Sequence, residues 1–389
     1  FELQAVMWRA QTLDVVYRDT VRGEVNGADA AITDIATAVL SHLGVAGEVP
    51  DVTAGSSDPR LIALLNEAFG LLREDSIIAL DRANQQFQQA ALLAPYHEPA
   101  CTGLGESWLA LLARASNENQ RSRMLVEAKL AAGRAVFLDS RSGEALALLA
   151  DVHAQTGRWI EADAAISQAV LLSPSGGAVR HHASTVNAKF GFLDRSREQI
   201  RLALTSDPLS RRILKDWALT HILSGKADVV SQYLRQNLDG DTFVWLDALA
   251  LFEMGDPVRA YDLVANKPGI SAAFRSWMQT AAAENSGASL SADTGGSIPD
   301  LPDRPFWISK LVTLGKIAEA AAGLQTLIRP GRDLSAVIEF PVEWLFLPSL
   351  QPLREHNDVR AVFARIGLVE FWKRRGPPDF KGWQPSWLA

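Results

Sequence analysis

Three glycines, Gly157, Gly191 and Gly225, stand 34 residues apart, and the same spacing links Pro174 to Pro208 and Ala135 to Ala169 and Ala203. Each of these prolines follows its alanine by five residues, and that step recurs upstream at Ala90 and Pro95 in FQQAALLAP. The glycine sits between runs of helix formers, as in HAQTGRWIEADAAISQAVLLSPS (153–175). A left-handed residue in a tight turn between two helices is unstrained only for glycine. Small alanines let neighbouring helices approach closely, and proline cannot continue the helix before it. The recurrence predicts a helix-turn-helix unit of 34 residues, which buries its apolar face only by stacking on its neighbours. Such a chain offers an extended binding surface rather than one deep pocket.

A 34-residue period in this form resembles the tetratricopeptide family. In GLGESW, Leu104, Gly105 and Trp108 fall at the large, small and aromatic positions of its first helix. Ala83, Phe87, Ala90 and Pro95 match its second helix, and Ala162, Ile166, Ala169 and Pro174 match a later copy. The common register runs over residues 60–225 and implies an all-α solenoid. From Pro95 to Ser140 is 45 residues, 11 more than the period, and the excess is read as a polar loop, SNENQRS (116–122). After Gly225 the period slips to Gly255, so 241–285 are degenerate units. Residues 286–303 form a linker with no basic residue, and 307–330 return as one more helix pair.

The two ends differ. Residues 2–24 are rich in Val, Thr, Tyr and Trp, with a turn near Gln11–Asp14, and predict a β-hairpin. An amphipathic helix over 29–44 follows, and 46–59 separate it from the repeats. Hairpin plus helix resembles the end of the TolB-like domain that precedes repeats in some bacterial signalling proteins. The run 346–380, with its Pro-rich entry and IGLVEFWKRRGPPDF, is similar to the tail that closes the repeat halves of bacterial winged-helix transcription regulators and class III adenylate cyclases. That resemblance implies a regulatory module, with any DNA contact made by a domain outside this chain. The expected organisation is 1–45 hairpin and helix, 46–59 linker, 60–240 repeats, 241–285 degenerate repeats, 286–303 linker, and 304–389 a last pair with a Trp- and Pro-rich helical cap. Phe1 in place of Met, with no signal peptide after it, reads as a processed or excised piece.

Composition narrows the chemistry. Acidic residues outnumber basic ones 45 to 38, giving a net charge of −7, which argues against nucleic acid as the main partner of this chain. Cys101 is the sole cysteine, so an internal disulfide and a cysteine-based metal site are both excluded; it reads as a core residue. No apolar run approaches the ~20 residues of a membrane span. DTGGS (293–297) occurs once, whereas aspartic protease chemistry needs two such carboxylates, so it reads as linker. His181 and His182 are adjacent and point apart on a helix, which suits a solvated or groove-lining role better than metal binding. Trp307, Trp344, Trp372, Trp383 and Trp387 crowd the last quarter as apolar covers for the end of the solenoid. The short basic run Lys373, Arg374, Arg375 reads as a solvated face.

No catalytic residues, metal or cofactors are expected. Projecting the repeat register onto the first helices puts Asp151, His181, Thr185, Arg212 and Lys215 on the concave side. That mixture suits an acidic peptide end or a small anion; the alternative is that these are solvent-facing helix positions. The leading reading is a non-enzymatic regulatory or sensing half of a bacterial signalling protein. The second is a free-standing adaptor with a protein or peptide partner. A homodimer is compatible with either. The cytoplasm is the expected location, with the periplasm left open by the single cysteine.

Overall fold

A computed structural model of the chain describes residues 2–8, 15–22, 58–237, 243–287, 299–330, 336–338 and 340–382. Strands β1 (Glu2–Trp8) and β2 (Val15–Arg22) pair antiparallel, with Glu2 opposite Arg22 and an irregularity between Met7 and Trp8. This is the expected hairpin. Its turn, the helix expected over 29–44 and nearly all of the separator 46–59 lie outside the described residues.

From Pro59 onward the chain is an all-α solenoid of tetratricopeptide type. Helix α1 (Pro59–Glu74) pairs with α2 (Ile77–Leu93), α3 (Glu98–Leu112) with α4 (Glu118–Leu138), α5 (Gly143–Gln155) with α6 (Trp159–Leu172), α7 (Gly177–Phe190) with α8 (Leu193–Ser206), and α9 (Arg211–Leu223) with α10 (Ala227–Asn237). The expected turn glycines, Gly157, Gly191 and Gly225, have φ of 71°, 77° and 71°. Each donates its N–H to the carbonyl three residues back. The next residue donates five back: Arg158 to His153, Phe192 to Asn187, Lys226 to His221. These two bonds are the Schellman cap, and they satisfy carbonyls the helix end would otherwise leave open. The same cap recurs at Gly255 and Gly315, so the degenerate units keep the turn after losing the period.

The other end of each pair is equally regular. Ala90, Ala135, Ala169 and Ala203 are fully buried, and each carbonyl accepts the N–H of the residue four further on, Ala94, Asp139, Ser173 and Asp207. Pro95, Pro174 and Pro208 follow at once and stop the helix. Ser76, Ser142 and Ser210 then cap the next helix through their hydroxyls. Gly105 is a packing position: a Cβ there would lie 2.5 Å from Leu148 Cδ2, so only glycine lets α3 and α5 meet so closely.

One expectation is corrected. The extra residues between Pro95 and Ser140 are mainly helix, not loop. Asn117 accepts from Gln120 N–H and starts α4, which runs 21 residues against 14 in α6 and in α8. The polar sequence of 118–122 marks solvent-facing first turns rather than a coil.

Beyond Gly225 come α11 (Val244–Glu253), α12 (Pro257–Val264), α13 (Ala272–Asn285), α14 (Arg304–Thr313) and α15 (Ile317–Thr326), each packed on the one before. Of the expected linker 286–303, residues 288–298, including DTGGS, lie outside the described residues. A ribbon of β3 (Ile328–Pro330) and β4 (Ala336–Ile338) leads to a 3-10 turn, Val342–Phe346, then α16 (Gln351–Arg354), α17 (Asn357–Arg365) and α18 (Leu368–Arg375).

This C-terminal run does more than cover the end of the solenoid. It returns to the middle repeats. Trp372, fully buried, donates its indole N–H to Phe190 O at 2.7 Å, and Trp159 donates to Ile366 O. Asp379 accepts the backbone N–H groups of Leu193 and Asp194 at the start of α8, and its own N–H donates to Gly191 O. Arg354, fully buried, ties the run together by donating to the carbonyls of Leu345, Leu347 and Lys381, each at 2.6 Å. Trp344 donates to Ser309 Oγ on α14. Trp383 and Trp387 lie outside the described residues.

Candidate functional site

The first helices α3, α5, α7 and α9 turn one face inward, and their curvature is tight enough for α9 to touch α1. Charged groups far apart in sequence therefore meet. Arg212 on α9 reaches Glu106 on α3 at 3.3 Å. Lys215 reaches Asp75, the residue that closes α1, at 2.6 Å. Asp75 is the one non-glycine with positive φ among the described residues, and Arg114 also contacts its carboxylate, at 3.1 Å. The cost of that backbone conformation, about 1–2 kcal/mol, is offset by two cations on one carboxylate.

Asp151 is the centre of the cluster. Lys189 Nζ donates to its Oδ1 at 3.3 Å, Thr185 Oγ1 donates to its Oδ2 at 3.2 Å, and His182 Nδ1 lies 3.3 Å from the same oxygen. Burial alone would raise the Asp151 carboxyl, but the Lys189 ammonium and His182 hold it far below the usual carboxylate range. Glu106 is likewise buried yet brought down to about 2 by His182 and Arg212. Burial pulls His182 down, and the two carboxylates of Asp151 and Glu106 outweigh it, raising the ring to about 9. His182 Nε2 stands 3.5 Å from Glu106 Oε1, an ion-pair contact rather than a formed hydrogen bond. His182 is thus an imidazolium between two carboxylates at neutral pH. His181 differs: its Nε2 is 2.7 Å from Asp216 Oδ2, but burial dominates and lowers it.

All five residues projected onto the concave side, Asp151, His181, Thr185, Arg212 and Lys215, belong to this one network. Each already has a partner within the protein. Neither His181 nor His182 is solvated; both rings are buried and face different carboxylates. A ligand reaching this level would have to displace an ion pair. Sequence reasoning missed Glu106, Lys189 and Asp216. Asp216 was available from the period, since it stands 34 residues after His182. Cys101 is buried, and burial pushes its thiol up, away from reactivity. No group of three His, Cys, Asp or Glu side chains among the described residues is placed to hold a metal ion, and no described helix is long and apolar enough to cross a membrane.

The 3-10 turn Val342–Phe346 lies over the inner face and packs on α7 and α9. Its Glu343 carboxylate helps raise the buried Lys189 ammonium, though less than Asp151 does. The inner face is therefore largely covered by the chain's own C-terminal run.

The outer edge is open. Leu92, Phe137 and Leu171, each two residues beyond a packing alanine, are 80%, 86% and 81% exposed at the ends of α2, α4 and α6. Tyr96 and Leu209, each directly after a turn proline, are similarly exposed. The repeat thus carries an apolar ladder along one edge, with the rungs set by the 34-residue register.

No family model matches the chain, and no curated protein does either. Among solved structures, the pilF protein of Pseudomonas aeruginosa is similar at 19% identity, covering 59% of this chain and 95% of that chain, with a TM-score of 0.38. A tetratricopeptide repeat protein of Parabacteroides merdae is similar at 13% identity, covering 69% and 91%, with a TM-score of 0.38. A thermophilic tetratricopeptide protein of Thermus thermophilus is similar at 18% identity, covering 50% and 96%, with a TM-score of 0.35. The assignment of the repeat rests on the chain's own glycine turns, not on these likenesses.

Proposed function

We propose that the chain is a protein-binding scaffold whose partner docks along the outer apolar ladder. The single observation that carries this reading is the repeated exposure of Leu92, Phe137 and Leu171 at one register position. Soluble proteins leave large side chains exposed singly; a row of them at equivalent positions marks an interaction surface. The partner suited to it is an amphipathic helix of another protein. Stacked helices lie roughly 8–10 Å apart, close to the ~10.5 Å between residues seven apart on a helix. One apolar side chain every two turns would then meet one rung.

The regulatory reading adds a context. The similarity of 346–380 to the tails of bacterial signalling proteins supports a scaffold that acts within such a protein, in the cytoplasm, with any DNA contact made by another domain. The five inner residues then serve to hold the repeats at fixed curvature, so that the rungs keep their spacing.

Selection from a displayed library of amphipathic helices on the full chain tests the scaffold reading. Enriched sequences with apolar residues seven apart, lost on Phe137→Asp/Leu171→Asp, support it. No enrichment, or binders indifferent to the double substitution, overturns it. So does a wild-type dimer in sedimentation that the double substitution dissociates, because the ladder is then a contact between two copies of this chain.

A further inference from the structure

A cavity of about 170 Å³ lies between the ends of α3 and α5 and the segment 340–343. Its walls are mostly apolar, with Leu112, Ala154, Trp159 and Phe340 among them. Three charged side chains also line it: Arg121, Lys189 and Glu343. The Oε2 atom of Glu343 is shut off from solvent, and none of the described residues donates a hydrogen bond to it. A buried carboxylate oxygen without a donor costs on the order of 1–3 kcal/mol, so a bound group that donates to it would be favoured.

The surroundings define that group. Leu112 is the last residue of α3 and Gln155 the last of α5, so two helix C-termini point their carbonyl ends at this space. Helix C-termini and a carboxylate together favour a cation. Arg121 and Lys189 in the same lining favour an anion. A plain carboxylate would meet Glu343, and a plain amine would meet Arg121 and Lys189. A molecule carrying both charges close together meets neither objection. The apolar walls call for an apolar body, and a cavity of about 150 Å³ is known to hold a benzene ring.

We propose that this cavity binds a small apolar α-amino acid as its zwitterion. The ammonium donates to Glu343, the carboxylate faces Arg121 and Lys189, and the side chain packs between Leu112 and Trp159. The site lies away from the outer ladder and does not depend on the scaffold reading. It would couple a metabolite to the seating of the C-terminal run, because Phe340 and Glu343 belong to that run and Lys189 to the repeats.

Calorimetric titration of the full chain with L-leucine and L-phenylalanine, each up to about 10 mM, tests this. Saturable binding is expected for at least one of them. The deaminated acid and the decarboxylated amine of the same side chain should bind about tenfold more weakly or not at all. Glu343→Gln should weaken the amino acid about tenfold. Ala113→Leu, at an exposed lining position, should block it by filling the mouth. Arg121→Gln replaces either variant that fails to fold, with the same loss expected. Absence of binding by both amino acids overturns the proposal. So does equal binding of the acid or the amine, or binding that survives the substitutions.

Discussion

Trp372 and Phe190 are 182 positions apart, yet the indole N–H of one donates to the carbonyl of the other at 2.7 Å. The ring is fully buried, and Phe371 beside it stacks on Phe190 with centroids 4.4 Å apart. Trp372→Ala removes the packing and leaves a buried carbonyl without its donor. We expect a loss of about 3–5 kcal/mol in urea unfolding. A loss below about 1 kcal/mol would mean that the C-terminal run is not fastened here.

Gly191 and Gly255 allow the cost of the turn to be separated from the cost of the contact. Both have left-handed backbone, with φ of 77° and 85°. A Cβ on Gly255 meets nothing within 4 Å, whereas one on Gly191 meets Pro378 Cβ at 3.0 Å and Phe380 at 3.1 Å. Gly255→Ala should cost about 1–2 kcal/mol from backbone strain alone. Gly191→Ala should cost at least about 1 kcal/mol more, because the C-terminal run must also move. Equal thermal shifts for the two variants would argue against the seating of Pro378 and Phe380.

The imidazolium of His182 gives the stability a definite pH dependence. Its folded value, about 9, lies above its ordinary 6.5. The stabilisation from its charge is therefore fully present below pH 6.5 and is lost as pH rises through about 9. Glu106 has the opposite sign: its contribution is present above its ordinary 4.5 and is lost as pH falls through about 2. Urea midpoints for wild type and His182→Gln should differ most near pH 5–6 and converge towards pH 9 to 10. A difference that stays constant from pH 6 to 10 would remove His182 from the role of charged bridge.

Arg212→Glu sets a second carboxylate against Glu106 in a buried site. Breaking a buried pair leaves one charge uncompensated, and we expect about 3–5 kcal/mol of destabilisation. Glu106→Gln/Arg212→Gln together should recover much of that loss, since neither charge is then left alone. A stable Arg212→Glu protein would show that the α3–α9 contact is dispensable and that the inner face can open.

The turns were legible because they are local. Gly157, Gly191 and Gly225 form the same two hydrogen bonds with residues no more than five positions away, so spacing and residue type suffice. The first turns of α4 were misread for a related reason: the polar run SNENQRS looks like coil, and Asn117 acts as a cap only where a helix follows. The inner side chains were placed on the right helices by the register, but their condition depends on distant partners. No periodicity says that Arg212 meets Glu106, or that Glu343 of a Pro-rich tail comes to lie near Lys189. Those relations follow from curvature and from the return of the C-terminal run, which arise only when the whole chain is assembled.

That return has a consequence for folding. An open repeat array is held by nearest-neighbour contacts, so it can nucleate anywhere and fray from either end. Here Asp379 caps the helix that begins at Leu193, so the turn after Gly191 waits for residues made nearly two hundred positions later. Loop closure over such a span is slow relative to forming a helix pair. The middle repeats should stay incomplete on the ribosome until the chain is finished. Once fastened, the described solenoid has no loose end at its C-terminal side from which to unzip, and it should melt as a unit rather than repeat by repeat.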